Sequence, residues 1–410
     1  MRKYVYLIAA LAAFPVHAQT AFESWLAEFR QEAAAQGISA ATLDAALTGV
    51  APMEKVLELD QRQPEFAQTF IDYLDKRVTA ARVARGQALL QEHAALLDAV
   101  EQKYGVPKSV LVSFWGLETN FGSYLGNHNI PASLATLAFD GRRSDFFRSQ
   151  LLDALRIIDA GHVQALDMNG SWAGAMGQMQ FMPSTYRAYA VDGDGDGRIN
   201  LWQSVPDAMY SAAHYLKRAG WRTNEPVALE VGLPANFDWR YARVSNRLPV
   251  SEWTGRGVTQ IDASALPLVN GTAAIILPQG WQGPAFMVFD NFDVVMKWNR
   301  SVSYALAVAQ LSRQLDGNSA LVRRNGDSTA VSFAQVKATQ QSLIELGLDA
   351  GTPDGLIGPR TQMAIRLYQV IHDLPADGYL SPGVVAHIVQ SHYLAKRAGK
   401  LTQAPITFSE

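Results

Sequence analysis

Gly116-Leu117-Glu118-Thr119-Asn120-Phe121-Gly122 is the stretch on which the reading of this chain turns. It closes a segment that opens at Gly105-Val106-Pro107, where glycine and proline break one helix and the proline suits the first turn of the next. Val110, Phe114, Leu117 and Phe121 recur at three- and four-residue spacing and mark an apolar helical stripe. Glu118 lies four residues from Phe114, three from Trp115 and seven from Leu111, so hydrophobic groups of its own helix surround its carboxylate. Desolvation of that kind disfavours the charged form and is expected to lift the carboxyl towards a general acid usable near neutral pH. Gly122 allows the helix to end soon after, which would leave Glu118 facing a cleft. A lone glutamate at a helix end more often snorkels or pairs with an arginine. The carboxylate census argues for chemistry: Glu118 is the only acidic residue between Gln102 and Phe139, and there is none between Met168 and Val191.

A second motif runs Ser171-Trp172-Ala173-Gly174-Ala175-Met176-Gly177-Gln178-Met179-Gln180-Phe181-Met182-Pro183-Ser184. Its small residues permit close approach of backbone or ligand, while Ser171, Gln178 and Gln180 offer neutral hydrogen-bonding groups of the kind sugars need. Taken alone, the same stretch reads equally well as a tight helix-packing segment.

A third motif is Asp192-Gly193-Asp194-Gly195-Asp196-Gly197-Arg198-Ile199-Asn200. Aspartates at loop positions 1, 3 and 5, glycine at 6 and isoleucine at 8 follow the EF-hand pattern for one Ca²⁺, with the Arg198 carbonyl at position 7. Gln203 stands at position 12 where a bidentate glutamate is usual, and Asp207 is expected to close the site in an extended loop. The alternative is a solvated acidic turn. If bound, the ion would be structural, since its ligands are then unavailable for proton transfer.

The 410 residues are 48% hydrophobic and 18% charged, enough for two or three domains. A formal net charge of -3 gives no electrostatic case for nucleic acid. With no cysteine, disulfides, thiolate catalysis, Cys-ligated zinc and an N-terminal lipid anchor are excluded. No phosphate-binding glycine loop follows a strand, so no organic cofactor is expected. The eight histidines lack metal spacing. Residues 1–18 read as a signal peptide: Arg2 and Lys3, an apolar run over Tyr4 to Phe14, and Val16-His17-Ala18 as a cleavage site. That run is shorter than the roughly 20 residues of a bilayer span, so export to a Gram-negative periplasm is expected rather than a transmembrane anchor.

From Ala21 to about Gly161 the pattern is helical, with a long helix expected from Pro64 through Phe66, Phe70, Tyr73 and Leu74. Between about 225 and 293 the chain turns β-rich, with strand-like runs at Ala273-Ala274-Ile275-Ile276-Leu277 and Phe286-Met287-Val288-Phe289. A helix returns over Val302 to Leu315, and a linker is expected over 319–330. A small helical unit covers 331–392, and 393–410 is a tail.

In this order, and together with Trp298-Asn299-Arg300-Ser301, the three motifs resemble the lytic murein transglycosylases of the B family over roughly Ala21 to Leu315. The resemblance implies an α+β, mainly helical fold: a lysozyme-like catalytic core over 19–318 with an added helical domain and the β-rich insertion. It implies cleavage of the β-1,4 bond between N-acetylmuramic acid and N-acetylglucosamine of peptidoglycan, leaving 1,6-anhydromuramoyl ends without water. On matching positions Glu118 would be the single catalytic acid/base, Ser171 the serine that binds the muramoyl N-acetyl group, and Gln180 a cleft-lining glutamine. Tyr73, Tyr215, Asn299 and Tyr304 fall on polar and aromatic cleft positions. Trp298 stands where the family more often has tyrosine. Asp192, Asp194, Asp196, Arg198 and Asp207 match the calcium loop.

One acid fits that chemistry, because glycosidases that use water or a covalent intermediate normally need two carboxylates. A hydrolytic muramidase would require a second carboxylate brought to Glu118 by the fold. A non-catalytic, calcium-stabilised wall-binding scaffold is the third reading. Glycan strands are the expected partner, and partners could include cell-wall synthesis or hydrolysis complexes.

The tail resembles the small three-helix peptidoglycan-binding module, on Val336 to Leu343, Leu346-Gly347, Asp354-Gly355-Leu356-Ile357-Gly358-Pro359-Arg360-Thr361, Gln369 and Ala376-Asp377-Gly378. Its Asp-Gly and Gly-Pro pairs make tight turns between helices, so those residues are mainly structural. The module would hold the enzyme to the wall and raise its local substrate concentration.

Overall fold

The computed structural model describes residues 16–61 and 68–401, the side chains from Thr20 onward. The leader expected over 1–18 lies outside the described residues except for backbone that is helical from Val16. No described helix is long and apolar enough to cross a membrane. The fold is mainly helical with two small antiparallel sheets. It divides into one unit of 1–62 with 118–212, and a second of 63–117 with 213–410.

In the first unit, helix Val16–Ala35 sets Phe22 edge-on to Phe139 at 5.3 Å. Phe139 ends the helix Ile130–Phe139, which Asn129 opens by accepting from the Ala132 N–H at 3.1 Å. With Pro131 in its first turn and apolar or small side chains on nearly every face, this helix is buried almost throughout. The amphipathic helix Ser144–Asp159 packs against it. A two-stranded sheet pairs His128 with Gly170 and Asn129 with Asn169.

The second unit centres on helix Val302–Leu315, which has the bounds the sequence predicts and buries ten residues. Ser301 caps it through the Tyr304 N–H at 3.3 Å. The expected strands are Thr272–Ile276 and Ala285–Val288, in a five-stranded antiparallel sheet ordered 248–249, 272–276, 285–288, 228–232, 259–260. Alternation of period two assigns its faces: Leu229, Val231, Ala273, Ile275, Ala285 and Met287 join the core around Trp253. Phe286 points the other way and meets Phe70 edge-on at 5.6 Å. Phe70 begins a helix that differs from the long one expected from Pro64. The observed helix is Phe70–Arg77, capped by the Thr69 hydroxyl, which accepts from Asp72 N–H at 3.1 Å; Pro64 and Phe66 lie outside the described residues.

The C-terminal module consists of helices Phe333–Glu345, Pro359–Ile371 and Pro382–Arg397 around Leu343, Ile365, Tyr368 and Ile388. Gln340 shapes the Asp354-Gly355 turn, donating to the Leu356 carbonyl at 3.0 Å and accepting from the Gly355 N–H at 2.9 Å. The segment read as a linker is held down: buried Glu230 accepts from the N–H groups of Val322 at 2.9 Å and Arg323 at 2.7 Å. The module itself is fastened to the β-rich insertion. Arg366 donates to the carbonyls of Trp239 and Ala242, each at 3.0 Å, and Asp377 accepts from the Trp281 N–H at 2.8 Å.

Candidate active site

Helix Lys108–Thr119 starts one residue after Pro107 and ends in three successive left-handed residues, Asn120 (φ 50), Phe121 (φ 62) and Gly122 (φ 75). Two of these are not glycine, and backbone of this kind is retained where surrounding contacts over-determine it, often at functional sites. Residues 109 to 117 are all buried, as is Thr119; Glu118, between them, is half-buried at the last turn. The side chain therefore sits where a dry helix face reaches its end.

What locks that end is Thr119, a residue the sequence reading passed over. At 1% exposure, its hydroxyl donates to the Gln178 carbonyl at 2.8 Å and accepts from the Gly122 N–H at 3.0 Å. The second motif is thereby tied to the residue next to Glu118. It is neither an open ligand strap nor a helix, but a loop folded on itself by paired bridges of Met176 with Gly170 and Phe181. Gln178 is buried at 4%, so it supplies a carbonyl to Thr119 rather than the substrate-facing group expected.

Ser171 closes a five-residue turn: its hydroxyl accepts from Ala175 N–H at 3.0 Å and its N–H donates to the Ala175 carbonyl at 2.7 Å. The O–H proton remains directed away from that bond as a donor. Gln180, half-buried, is also left-handed (φ 49), and its amide donates to the carbonyls of Leu125 at 3.2 Å and Gly177 at 3.1 Å. Close packing explains the glycines here, because a Cβ on Gly126 would meet the Gly170 carbonyl oxygen at 2.1 Å. The first unit thus brings Glu118, Ser171 and Gln180 onto one scaffold of strained turns. The segments that build it, 119–139 and 168–191, contribute no other carboxylate.

In the second unit, Phe114, one helical turn before Glu118, packs against Trp298 at 4.5 Å, and Trp298 meets Tyr215 edge-on at 5.0 Å. Trp298 ends helix Asp290–Trp298 and exposed Asn299 caps it, its N–H donating to the Val295 carbonyl at 3.1 Å. Buried Asn291 anchors the same helix, its amide donating to the carbonyls of Arg222 at 2.8 Å and Glu225 at 2.7 Å. Tyr304 lies 6.1 Å from Phe114 but is only 5% exposed, which makes it an interior support. Tyr73 is half-buried on the Phe70–Arg77 helix, with the Arg77 guanidinium 5.4 Å from its ring.

The aspartate loop gathers Asp192, Asp194 and Asp196, whose oxygens lie within 4.8 Å of one another. Asp207 does not join them. It is 1% exposed, and its two oxygens accept from the N–H groups of Gly193 at 2.7 Å and Asn200 at 2.6 Å, clamping the loop from beneath. Backbone N–H groups of Gly197 and then Gly195 hold the Asp192 carboxyl below the usual carboxylate range. The Arg198 side chain turns away to the Gly161 carbonyl at 3.1 Å. Three exposed carboxylates on a glycine-bent loop form a hard-oxygen donor set that fits a cation such as Ca²⁺.

Residues 21–313 match the Transglycosylase SLT domain, and 334–388 match a peptidoglycan binding domain. The chain is 35% identical over 257 residues to membrane-bound lytic murein transglycosylase B of Escherichia coli (strain K12), covering 60% of this chain and 66% of that protein. Against the crystal structure of SltB3 from Pseudomonas aeruginosa in complex with NAG-anhNAM-pentapeptide, identity is 44% and the TM-score 0.88, covering 90% of this chain and 99% of that one. The Escherichia coli lytic transglycosylase Slt35 in complex with calcium matches with TM-score 0.62 and 30% identity, over 73% of this chain and 93% of that one.

Proposed function

The chain belongs to the lytic transglycosylases built on the SLT domain, of the B type, and on that premise we propose that it cleaves the β-1,4 bond between N-acetylmuramic acid and N-acetylglucosamine of peptidoglycan, leaving 1,6-anhydromuramoyl ends. One observation carries the reading: Glu118 ends a buried helix face, and neither the stretch that follows it, 119–139, nor the stretch bonded to its neighbour Thr119, 168–191, contains another acidic residue. Glycosidases that invert, or that retain through a covalent intermediate, normally use a pair. Glu118 protonates the leaving glycosidic oxygen while the substrate's own acetamido group stabilises the developing oxocarbenium ion. Glu118, now a carboxylate, removes the proton from the C6 hydroxyl, whose oxygen bonds to C1, and no water is consumed. Ser171 donates its O–H to the acetamido group and Asn299 offers its amide to the substrate, which is positioning rather than proton transfer. Trp298 presents an indole where a sugar can stack.

Asp192, Asp194 and Asp196 hold one structural Ca²⁺, with the Arg198 carbonyl as a further ligand and Asp207 fixing the loop from its buried side. The relative crystallised with calcium supports this assignment. The N-terminal leader pattern supports action in the periplasm after removal of residues 1–18. The test is to incubate the mature chain with purified sacculi and weigh the released muropeptides; ends lighter by one water are expected, and hydrated reducing ends would mean a hydrolase.

A further inference from the structure

Of the nine tryptophans, all within the described residues, Trp281 is the one that is exposed, at 40%. Exposed indole is costly to leave in water, and here it is not a loose side chain on a mobile loop. The loop Pro278-Gln279-Gly280-Trp281-Gln282-Gly283 is pinned on both sides of it. Gln279, 3% exposed, accepts from the Ile71 N–H and donates to the Asp327 carbonyl, each at 2.9 Å. The Trp281 N–H donates to the Asp377 carboxylate of the C-terminal module at 2.8 Å. Gly280 is left-handed (φ 74), and a Cβ there would meet the Tyr379 ring at 2.9 Å.

The indole of Trp239 lies 5.8 Å from that of Trp281 at an interplanar angle of 53°. Trp239 is itself held from the module, since Arg366 binds its carbonyl at 3.0 Å and that of Ala242 at 3.0 Å. Two indoles, one exposed and one half-buried, thus stand where the module and the β-rich insertion meet, fixed by the contacts that join them. The surroundings are polar. Gln282 and glycines flank Trp281, and next to Trp239 half-buried Asp238 accepts from exposed Arg240 at 2.7 Å.

We infer that Trp239 and Trp281 form a second saccharide-binding platform, which holds a peptidoglycan glycan strand by stacking on its pyranose rings. A protein or lipid partner needs a broad apolar patch, whereas one exposed indole beside a second that packs on the insertion's core next to Phe237, with a hydrogen-bonding rim, suits a sugar, which presents C–H faces between hydroxyl and amide edges. Rigid anchoring lowers the ordering cost of binding. The module's contribution is then to build the platform together with the insertion and to hold its orientation, rather than to trail the enzyme on a tether. The inference rests on the reading that the chain acts on peptidoglycan.

The test uses the full mature chain in a Glu118→Gln background, so that the polymer is not consumed, with peptide-free glycan strands and intact sacculi as probes. Trp281→Ala and Trp239→Ala are each expected to weaken binding to both probes about tenfold, the loss of one well-placed aromatic contact. Trp281→Phe, which keeps a stacking face, should recover most of it. In the parent, titration with peptide-free strands should quench tryptophan emission, with a smaller amplitude in Trp281→Phe. Thermal unfolding of each variant separates lost binding from lost fold. Parent-like strand binding by both folded alanine variants would overturn the platform, as would binding that requires stem peptides. If the alanine variants bind poorly but no anhydro ends form with active-site-intact protein, the proposed reaction falls and the platform stands. If anhydro ends form and the variants bind normally, the platform alone falls.

Discussion

The hydroxyl of Thr119 donates to the main-chain carbonyl of Gln178 at 2.8 Å, so the residue beside Glu118 is bonded directly to the loop that carries Ser171 and Gln180. The same oxygen accepts from Gly122 N–H at 3.0 Å, which holds the left-handed turn after the helix. One buried hydroxyl thereby sets both the end of the Glu118 helix and its distance from the second motif.

Thr119→Val keeps the shape and removes both bonds. It should destabilise the protein by about 1–3 kcal/mol, the cost of stranding the buried Gln178 carbonyl together with the partly buried Gly122 N–H. Release of products from sacculi should fall at least about tenfold, because sub-ångström placement of an acid governs its efficiency. Chemical denaturation and product release check the two effects separately.

Calcium should raise the melting temperature of the mature chain relative to chelator. At about 100 times its Kd the ion would add about 2.7 kcal/mol. Asp192→Asn with Asp194→Asn should abolish the calcium-dependent shift. Asp207→Asn should lower stability even in chelator, since Asp207 bonds the loop backbone at Gly193 and Asn200. Calorimetry with and without calcium reads both.

Trp298→Ala removes contacts with Phe114 at 4.5 Å and Tyr215 at 5.0 Å. A loss of about 2 kcal/mol is expected, below that of a fully buried tryptophan because Trp298 is half exposed. KM for soluble glycan fragments should rise more than kcat falls, while Trp298→Tyr should retain most of the affinity. Urea denaturation and steady-state kinetics decide it.

Asp159 accepts from the Ser39 hydroxyl at 2.5 Å and the Thr42 hydroxyl at 2.6 Å, and these bonds hold its carboxyl below the usual carboxylate range. The unfolded chain therefore binds this proton first as pH falls. The contribution is present above the unfolded carboxylate pKa of about 3.9 and is lost as pH drops through the lower folded value. Asp159→Asn should flatten the stability profile below about pH 4, measured by denaturation midpoints across pH.

Legibility followed the range of the forces involved. Helix Val302–Leu315 and the two central strands were readable because periodicity and caps are local. Glu118 stands out in the sequence because a carboxylate on an apolar face is a local contradiction, and the structure places it half-buried at the end of that face. The helix expected from Pro64 was not, since the Thr69 cap starts it later. Tyr304 and Gln178 read as cleft groups in sequence, and only tertiary packing turns them inward. Asp207 matched a ligand by spacing, yet the turn from loop to helix aims its oxygens at backbone N–H groups instead. Thr119, Trp239 and Trp281 carried no signal, because the bonds from Thr119 to Gln178, from Trp281 to Asp377 and from Arg366 to Trp239 each span 59 residues or more of the chain.

Cleavage by one carboxylate without water is read out by mass spectrometry of muropeptides that the mature protein releases from purified sacculi, with Glu118→Gln alongside. The unmodified protein is expected to release 1,6-anhydromuramoyl ends, one water lighter than reducing ends, and Glu118→Gln none. Hydrated reducing ends, or undiminished anhydro product from Glu118→Gln, would contradict it.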